Sequence, residues 1–294
     1  MADTLPIVTP ARHQPRGLRA VLRRPMFWLP AAVLMLFIAM ALLPAPFAGI
    51  FGNGDPRACN LADSAAGPRP GHPFGFDLQG CDLWANAVYG AQASITVGVV
   101  ATLIALGIAI VLGTLAGLRG GVVDWLISRA TEVFLGFPFL LAAIVVLNSV
   151  GERTVWTVSL VLGVFGWPTM ARLMRASVRS IRSSEYVLAA RTMGLGPARI
   201  ISRYVLPNSL SPVFILATIA IGAVIVAESS LTYLGIGLQP PAISWGLQIA
   251  AGSRIFQSAP HVLLLPSGFL AATVLSVIVL GDALRAGSDP RRLQ

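Results

Sequence analysis

Lysine is missing from this chain; all 21 basic residues are arginine. A P-loop needs a lysine to reach the nucleotide phosphates, and a Schiff-base enzyme needs one as its nucleophile. Neither chemistry therefore belongs to these 294 residues. Histidine is limited to three residues and cysteine to two, widely scattered, which leaves little for a zinc site. Charge is the other shortage. Only 11% of residues are charged, against roughly 25% in an ordinary globular domain. Hydrophobic residues make up 55%, and mean hydropathy is +0.77. A soluble reading suited to this length fails on those figures.

Charge-free tracts locate the membrane. A span needs about 20 mostly apolar residues, and seven uncharged stretches reach 18 or more: 25–54, 83–118, 133–151, 154–171, 204–227, 229–253 and 255–281. Six read as helices. The stretch 229–253 carries Gly235, Gly237, Pro240, Pro241, Gly246 and Gly252; breakers at that density would strand backbone groups in lipid, so it reads as a structured outer loop. The fold class is an all-α membrane protein with six transmembrane helices. A cleaved signal peptide is the rival reading of the first tract, because Arg19, Arg23 and Arg24 precede the apolar run Met26 to Leu43, with Pro46-Phe47-Ala48 behind it. The length of the run and the five later spans favour an uncleaved helix.

Arginine placement orients the spans. With six of them, both termini share one side, where segments 1–25, 119–129, 172–203 and 282–294 hold 17 arginines. The opposite loops hold Arg57, Arg69, Arg153 and Arg254. Both termini are therefore expected in the cytoplasm, and the pI near 11.1 is a topology signal rather than a nucleic-acid footprint. The expected organisation is a cytoplasmic tail (1–25), a first transmembrane helix (26–50), an extracytoplasmic loop (51–84), a five-helix core (85–284) and a second cytoplasmic tail (285–294). Within the core lie a cytoplasmic loop at 184–207 and an outer loop at 235–258.

The first outer loop carries Asp55, Asp63, Asp77 and Asp82 together with Cys59 and Cys81. Both thiols face the compartment in which disulfides persist. A bridge would close a loop of about 20 residues and contribute roughly 3 kcal/mol; two unpaired thiols are the alternative.

Between the fourth and fifth spans, Arg172, Arg175, Arg179 and Arg182 share one helical face. Such a stripe beside a membrane ordinarily meets lipid headgroups. Ser183-Ser184-Glu185 then reads as a helix start and Gly194 as its end, and Pro197 opens a second short helix with an apolar stripe of Ile200, Ile201, Tyr204 and Val205. Two short helices around a glycine corner make a cytoplasmic knob. Ala189 and Ala190 keep part of its surface low, so another backbone could approach. An interfacial helix lying on the bilayer is the generic alternative.

These residues also carry a family resemblance. Ala189-Ala190, Gly194 and Tyr204-Val205-Leu206-Pro207 resemble the E-A-A-x3-G-x9-I-x-L-P loop of ABC-importer permeases, most closely the second permease subunit of dipeptide, oligopeptide and nickel import systems. His72-Pro73-Phe74-Gly75-Phe76-Asp77 resembles that family's HPLGTD segment, and Leu118-Arg119-Gly120-Gly121-Val122-Val123-Asp124 its G-x-x-G-G-W-x-D turn. Phe137-Pro138, Gly166-Trp167-Pro168, Gln239-Pro240-Pro241, Ser244-Trp245-Gly246, Gly281-Asp282-Ala283-Leu284-Arg285 and Asp289-Pro290-Arg291 extend the match over about 72–292. Two positions depart. Leu188 replaces the glutamate of the EAA motif, with Glu185 three residues upstream, and Cys81 replaces an arginine before span two, which strengthens the case for a bridge to Cys59.

The resemblance implies a type I ABC-import fold in the bacterial cytoplasmic membrane. It implies a homologous second permease, two ATPase subunits or domains carrying ATP and magnesium, and an extracytoplasmic substrate-binding protein. No cofactor belongs to this chain, its surroundings are membrane lipid, and nucleic acid is not a partner. Glu185, Leu188, Ala189, Ala190, Gly194, Tyr204, Leu206 and Pro207 would form the ATPase-coupling loop, and the chain is a pore subunit rather than an enzyme. Glu228, at the outer end of span five, is a translocation-path candidate; satisfying a polar partner inside the bundle is the alternative. Glu132 is expected to pair with Arg129 or another loop arginine. Ala109, Gly113, Gly117 and Gly121 recur every four residues and predict close helix packing. His261 reads as interfacial. A nickel or other small-solute permease and a self-contained secondary transporter are the competing functions. The latter lacks an obvious inverted repeat. An intramembrane enzyme lacks a serine–histidine pair in the spans.

Overall fold

The computed structural model describes residues 25–288. The expected tail arginines Arg19, Arg23 and Arg24 and the Asp289-Pro290-Arg291 motif lie outside the described residues. Within them the chain is helical, with no extended strand beyond two isolated bridges. Helix α1 spans Pro25–Leu42, and Pro44 restarts the chain as the short α2, Pro44–Ala48. The segment from there to residue 82 is a turn-rich pad with one 3₁₀ turn at Leu61–Asp63.

Helix α3, Leu83–Arg119, is 37 residues long and so about 55 Å at 1.5 Å per residue, well beyond the hydrocarbon core. Its start is fixed by Asp82, whose carboxylate accepts the Ala85 amide N–H at 2.8 Å. Gly120, at φ +65°, ends it and leads into α4, Gly121–Gly136. The expected span at 133–151 is not one straight helix. Phe137 adopts an extended conformation before Pro138, as a pre-proline residue prefers; the chain then turns by 86° into α5, Phe139–Ser149.

Helix α6, Val155–Arg182, is capped by Thr154 and runs unbroken through the arginine stripe. Helix α7, Glu185–Thr192, forms the knob. Its second expected helix is not separate. Pro197–Ile200, α8, passes through a π-type turn at Ile201–Val205 directly into α9, Leu206–Tyr233, as one continuous rod. The outer loop after Tyr233 ends in a further short helix, α10, Trp245–Ser253, capped by Ser244, and α11, Pro260–Ser288, closes the described chain. By length and composition, four of the described helices can cross a membrane. The bent α4–α5 pair would make a fifth, and α1 is a shorter apolar helix.

Packing centres on α3 against α6. Gly113 lies so near α6 that a Cβ there would stand 2.6 Å from Met174 Cβ and 2.8 Å from the Ala171 carbonyl. At Gly117 the neighbour is Val178 at 2.7 Å, and from the other side a Cβ at Gly163 would meet the Ala101 carbonyl at 2.8 Å. Backbones this close gain dispersion contacts and leave no void. Ala109 is fully buried in the same seam. Gly121 is not part of it: nothing approaches within 4 Å, and its positive φ serves the α3–α4 corner instead. Gly113→Val is expected to destabilise the purified protein by about 1–3 kcal/mol through overpacking. Gly107→Val, on the open face of α3 where nothing lies within 4 Å, should leave the melting temperature in detergent nearly unchanged.

Candidate functional site

The knob is a helix of about two turns pressed onto the bundle. Val187 and Ala190 are buried in the same core cluster as Met174, Val178, Ile200 and Val205. Only half of the expected low surface is therefore outside: Ala190 faces inward at 1% exposure, because the helix needs an apolar anchor, and Ala189 faces outward. Glu185, Tyr186, Leu188, Ala189, Arg191, Thr192 and Met193 form the outward face. Leu188 is 48% exposed and Met193 70%, so the residue that replaces the family glutamate is displayed rather than packed. Ser184 occupies the N-cap position without using its hydroxyl as a cap; Oγ donates instead to the Ile181 carbonyl at 2.6 Å. Gly194 adopts φ +79°, and its amide and that of Leu195 close onto the Arg191 and Ala190 carbonyls at 2.9 and 3.2 Å. Tyr204 and Leu206 are partly buried against the core, and Pro207 is exposed at the base of α9.

The arginine stripe has partners within the protein, which corrects the headgroup reading for three of its four members. Asp124, on the first turn of α4, accepts from Arg175 through both carboxylate oxygens and also from Arg179. Arg182 Nη1 donates to the Leu118 carbonyl at 2.5 Å and to that of Gly117 at 3.3 Å. These carbonyls end α3 and have no partner within the helix. A bidentate guanidinium–carboxylate pair fixes orientation as well as distance. The α3–α4 corner is thus tied to the last two turns of α6, immediately before the knob. Sequence reading placed Asp124 in a turn motif and the arginines on one face without joining them; the carboxylate opposite an i, i+4 arginine pair was the available signal. Arg172 is exposed, and Glu132 pairs with Arg129 at 3.1 Å as expected.

Glu228 stands inside α9, more than a turn before its end, with no exposure. Ser94 Oγ and Ser229 Oγ donate to Oε2 at 3.3 and 3.2 Å, and Thr232 Oγ1 to Oε1 at 2.9 Å. Ser94 Oγ in turn accepts the Trp245 amide N–H at 3.2 Å, and Thr232 Oγ1 that of Leu238 at 3.0 Å. The geometry is that of a polar knot joining α3, α9 and the outer loop. Ser94 and Trp245, whose indole N–H reaches the Ala87 carbonyl at 2.9 Å, are members that periodicity alone does not reveal.

In the segment before α3, Cys59 and Cys81 are joined as a disulfide, with Cα atoms 4.0 Å apart. Asp77 accepts the Gln79 and Cys81 amides at 2.8 and 2.9 Å beside it, while burial pushes its carboxyl above the usual range. Arg69 pairs with Asp63 at 2.6 Å and lies over the Phe76 ring, holding the Asp63 carboxyl below its ordinary value. His72 Nδ1 meets Asp82 Oδ2 at 2.5 Å, so the loop is tied to the α3 cap. His261 is half-buried, and its Nε2 has no hydrogen-bond partner among the described residues. Above α3 an open cleft of ≈ 590 Å³ lies between this loop, α3, the start of α6 and the second outer loop.

Two outcomes check these assignments. Glu228→Ala leaves three hydroxyls without their acceptor and a void, and should lower stability by about 2–4 kcal/mol, whereas Glu228→Gln keeps an acceptor and should melt close to wild type. An alanine variant as stable as wild type would remove the knot from the account. Mass spectrometry after alkylation without reduction should find neither Cys59 nor Cys81 modified.

A family profile described as "Binding-protein-dependent transport system inner membrane component" matches residues 109–294. The oligopeptide transport system permease protein OppC of Bacillus subtilis is 32% identical over 89% of this chain and 85% of its own length. The dipeptide transport system permease protein DppC of Alkalihalophilus pseudofirmus is 34% identical over 89% and 86%, and that of Bacillus subtilis 37% over 79% and 72%. A crystal structure of an amino acid ABC transporter with histidines shares the fold, with a TM-score of 0.50 at 15% identity, covering 71% of this chain and 94% of that one. The helical architecture, the apolar spans and these matches agree that the chain belongs to the family of membrane-embedded permease components of binding-protein-dependent ABC transporters.

Proposed function

We propose that this chain is one of two permease subunits of a bacterial importer for short peptides, working in the cytoplasmic membrane with both termini inside. The count is six crossings: α1, α3, the bent α4–α5 pair, α6, α9 and α11. A homologous second permease supplies the other half of the pore, an external binding protein delivers substrate, and two ATPase subunits or domains hold ATP and magnesium. The observation that carries the reading is the knob itself. The apolar part of its outward face, Tyr186, Leu188, Ala189 and Met193, suits an apolar cleft on an ATPase, with Glu185 and the Gly194 corner at its ends. Leu188 in place of the family glutamate removes that position's ion pair and adds packing surface, with Glu185 the remaining acid three residues upstream. The peptide substrate rests on the names of the relatives.

Mechanically, the knob is anchored to the bundle by Val187 and Ala190, and it directly follows the α6 turns that Asp124 clamps. A pull on α7 therefore moves α6 and, through Gly113 and Gly117, α3. ATP can drive this only if the ATPases bind the two pore states with different affinity. Glu228 serves the outer end of the same body as a fastening rather than as a path residue.

Reconstitution of the complete complex in proteoliposomes tests the assignment. Labelled di- and tripeptides should enter only with ATP inside and binding protein outside; uptake of nickel chelates but not peptides would replace the peptide reading. In the same assay Gly194→Val, forced toward a φ that a β-branched residue disfavours, should lower uptake at least about tenfold while ATP hydrolysis continues. Unaltered uptake would show that the knob does not couple.

A further inference from the structure

The outer cleft combines features that the packing of the bundle does not require. Tyr89, Gln92 and Thr96 stand at i, i+3 and i+7 on α3, one helical face, and lie about 9–20 Å along the helix from its start. Gln92 is exposed and the other two are half-buried. These side chains put hydroxyl and amide groups on the cleft wall, where they meet water or a ligand rather than lipid. Across the cleft stands Trp156 at the start of α6, 68% exposed.

The rim supplies charge of both signs. Asp55 is held by its own turn, its Oδ1 accepting the Arg57 amide at 2.9 Å and its backbone N–H donating to Asn53 Oδ1 at 3.1 Å. Arg57 reaches toward the second outer loop, with Nη2 3.5 Å from the Pro241 carbonyl. Among the described residues no ion pair neutralises either side chain, although Arg69 and His72 on the same outer segment both meet carboxylates. A carboxylate, a guanidinium and a lining that mixes aromatic with hydrogen-bonding side chains in one cleft of ≈ 590 Å³ match a small zwitterion that carries both polar and apolar groups.

We propose that this cleft is a receiving site for the free-ended peptide. Arg57 takes the α-carboxylate, Asp55 the α-ammonium, and Tyr89 and Trp156 the side chains, with Gln92 and Thr96 hydrogen-bonding the peptide unit. The assignment rests on the peptide reading above and extends it from the complex to named residues of this chain. It also limits length: both termini must be reached at once, so short peptides are held better than long ones.

The test uses the complete complex in proteoliposomes and a dipeptide carrying a photoreactive benzoyl-phenylalanine, in vesicles whose uptake of the unmodified dipeptide is measured in parallel. Irradiation should place adducts on the 89–96 segment or Trp156. Arg57→Gln and Asp55→Asn should each lower adduct yield and uptake about fivefold, the loss of one charge-assisted contact, while copurification with the ATPases shows that the variants assemble. Adducts confined to other segments, or variants that label and transport as wild type does while dipeptide uptake is normal, overturn the cleft assignment and leave the peptide reading standing. A wild-type complex that takes up no peptide removes the peptide reading and the cleft with it.

Discussion

The closeness of α3 to α6 is the constraint on which the remaining geometry depends. Three glycines, Gly113, Gly117 and Gly163, let the two backbones approach until a single added carbon would sit below 3 Å from the facing atoms. Lipid tails are as apolar as leucine, so helices in a membrane gain little from hiding apolar surface against each other. Close backbone contact and the dispersion it brings take that role. Once α3 and α6 are fixed as a pair, the Ala109 face is sealed and Met174 and Val178 are placed. The last turns of α6 are then held beside the α3–α4 corner, where Asp124 waits for Arg175 and Arg179.

That clamp explains how a chain so poor in charge uses the little it has. Asp124 meets two arginines, and Arg182 satisfies carbonyls that α3 leaves open at its end. Ion pairs on an exposed surface contribute little on their own. Here the value is geometric, since planar guanidinium groups fix the angle at which the corner meets α6. At the opposite end Glu228 does the equivalent work with hydroxyls rather than arginines, drawing Ser94, Ser229 and Thr232 to one carboxylate. A continuous set of contacts therefore runs from the knob to the loop before α10, with polar fastenings at both ends of the bundle and small residues between them.

Much of this was legible in the sequence because membrane proteins write their constraints in composition. The tracts at 83–118 and 154–171 became α3 and the first part of α6 because an uncharged run of that length has few other stable conformations. The four-residue repeat at Ala109, Gly113 and Gly117 announced a close contact, though not the partner. Three features stayed hidden. The bend at Phe137–Pro138 lies within an uninterrupted apolar run, and hydropathy does not record direction. The continuity of Pro197 to Tyr233 defeats the expectation that a proline-led short helix stands alone. The inward turn of Ala190 depends on which side of a two-turn helix the bundle happens to meet. In each case the missing information is tertiary: how a segment is aimed, not what it is made of.

The absence of lysine takes on a physical sense beside these contacts. Arg175 engages both Asp124 oxygens in a fork, Arg182 bridges two successive carbonyls, Arg153 spans the Gly235 carbonyl and Asn148 Oδ1, and Arg69 combines a carboxylate with the face of Phe76. The contacts of Arg175, Arg153 and Arg69 use either two nitrogens of a planar group or its flat face, whereas Arg182 reaches both carbonyls from Nη1 alone. An ammonium offers a compact charge on a flexible stem and reproduces neither. Substituting lysine at Arg175 would retain the sign of the charge and lose the orientation, and in this bundle it is the orientation that joins the knob to α3.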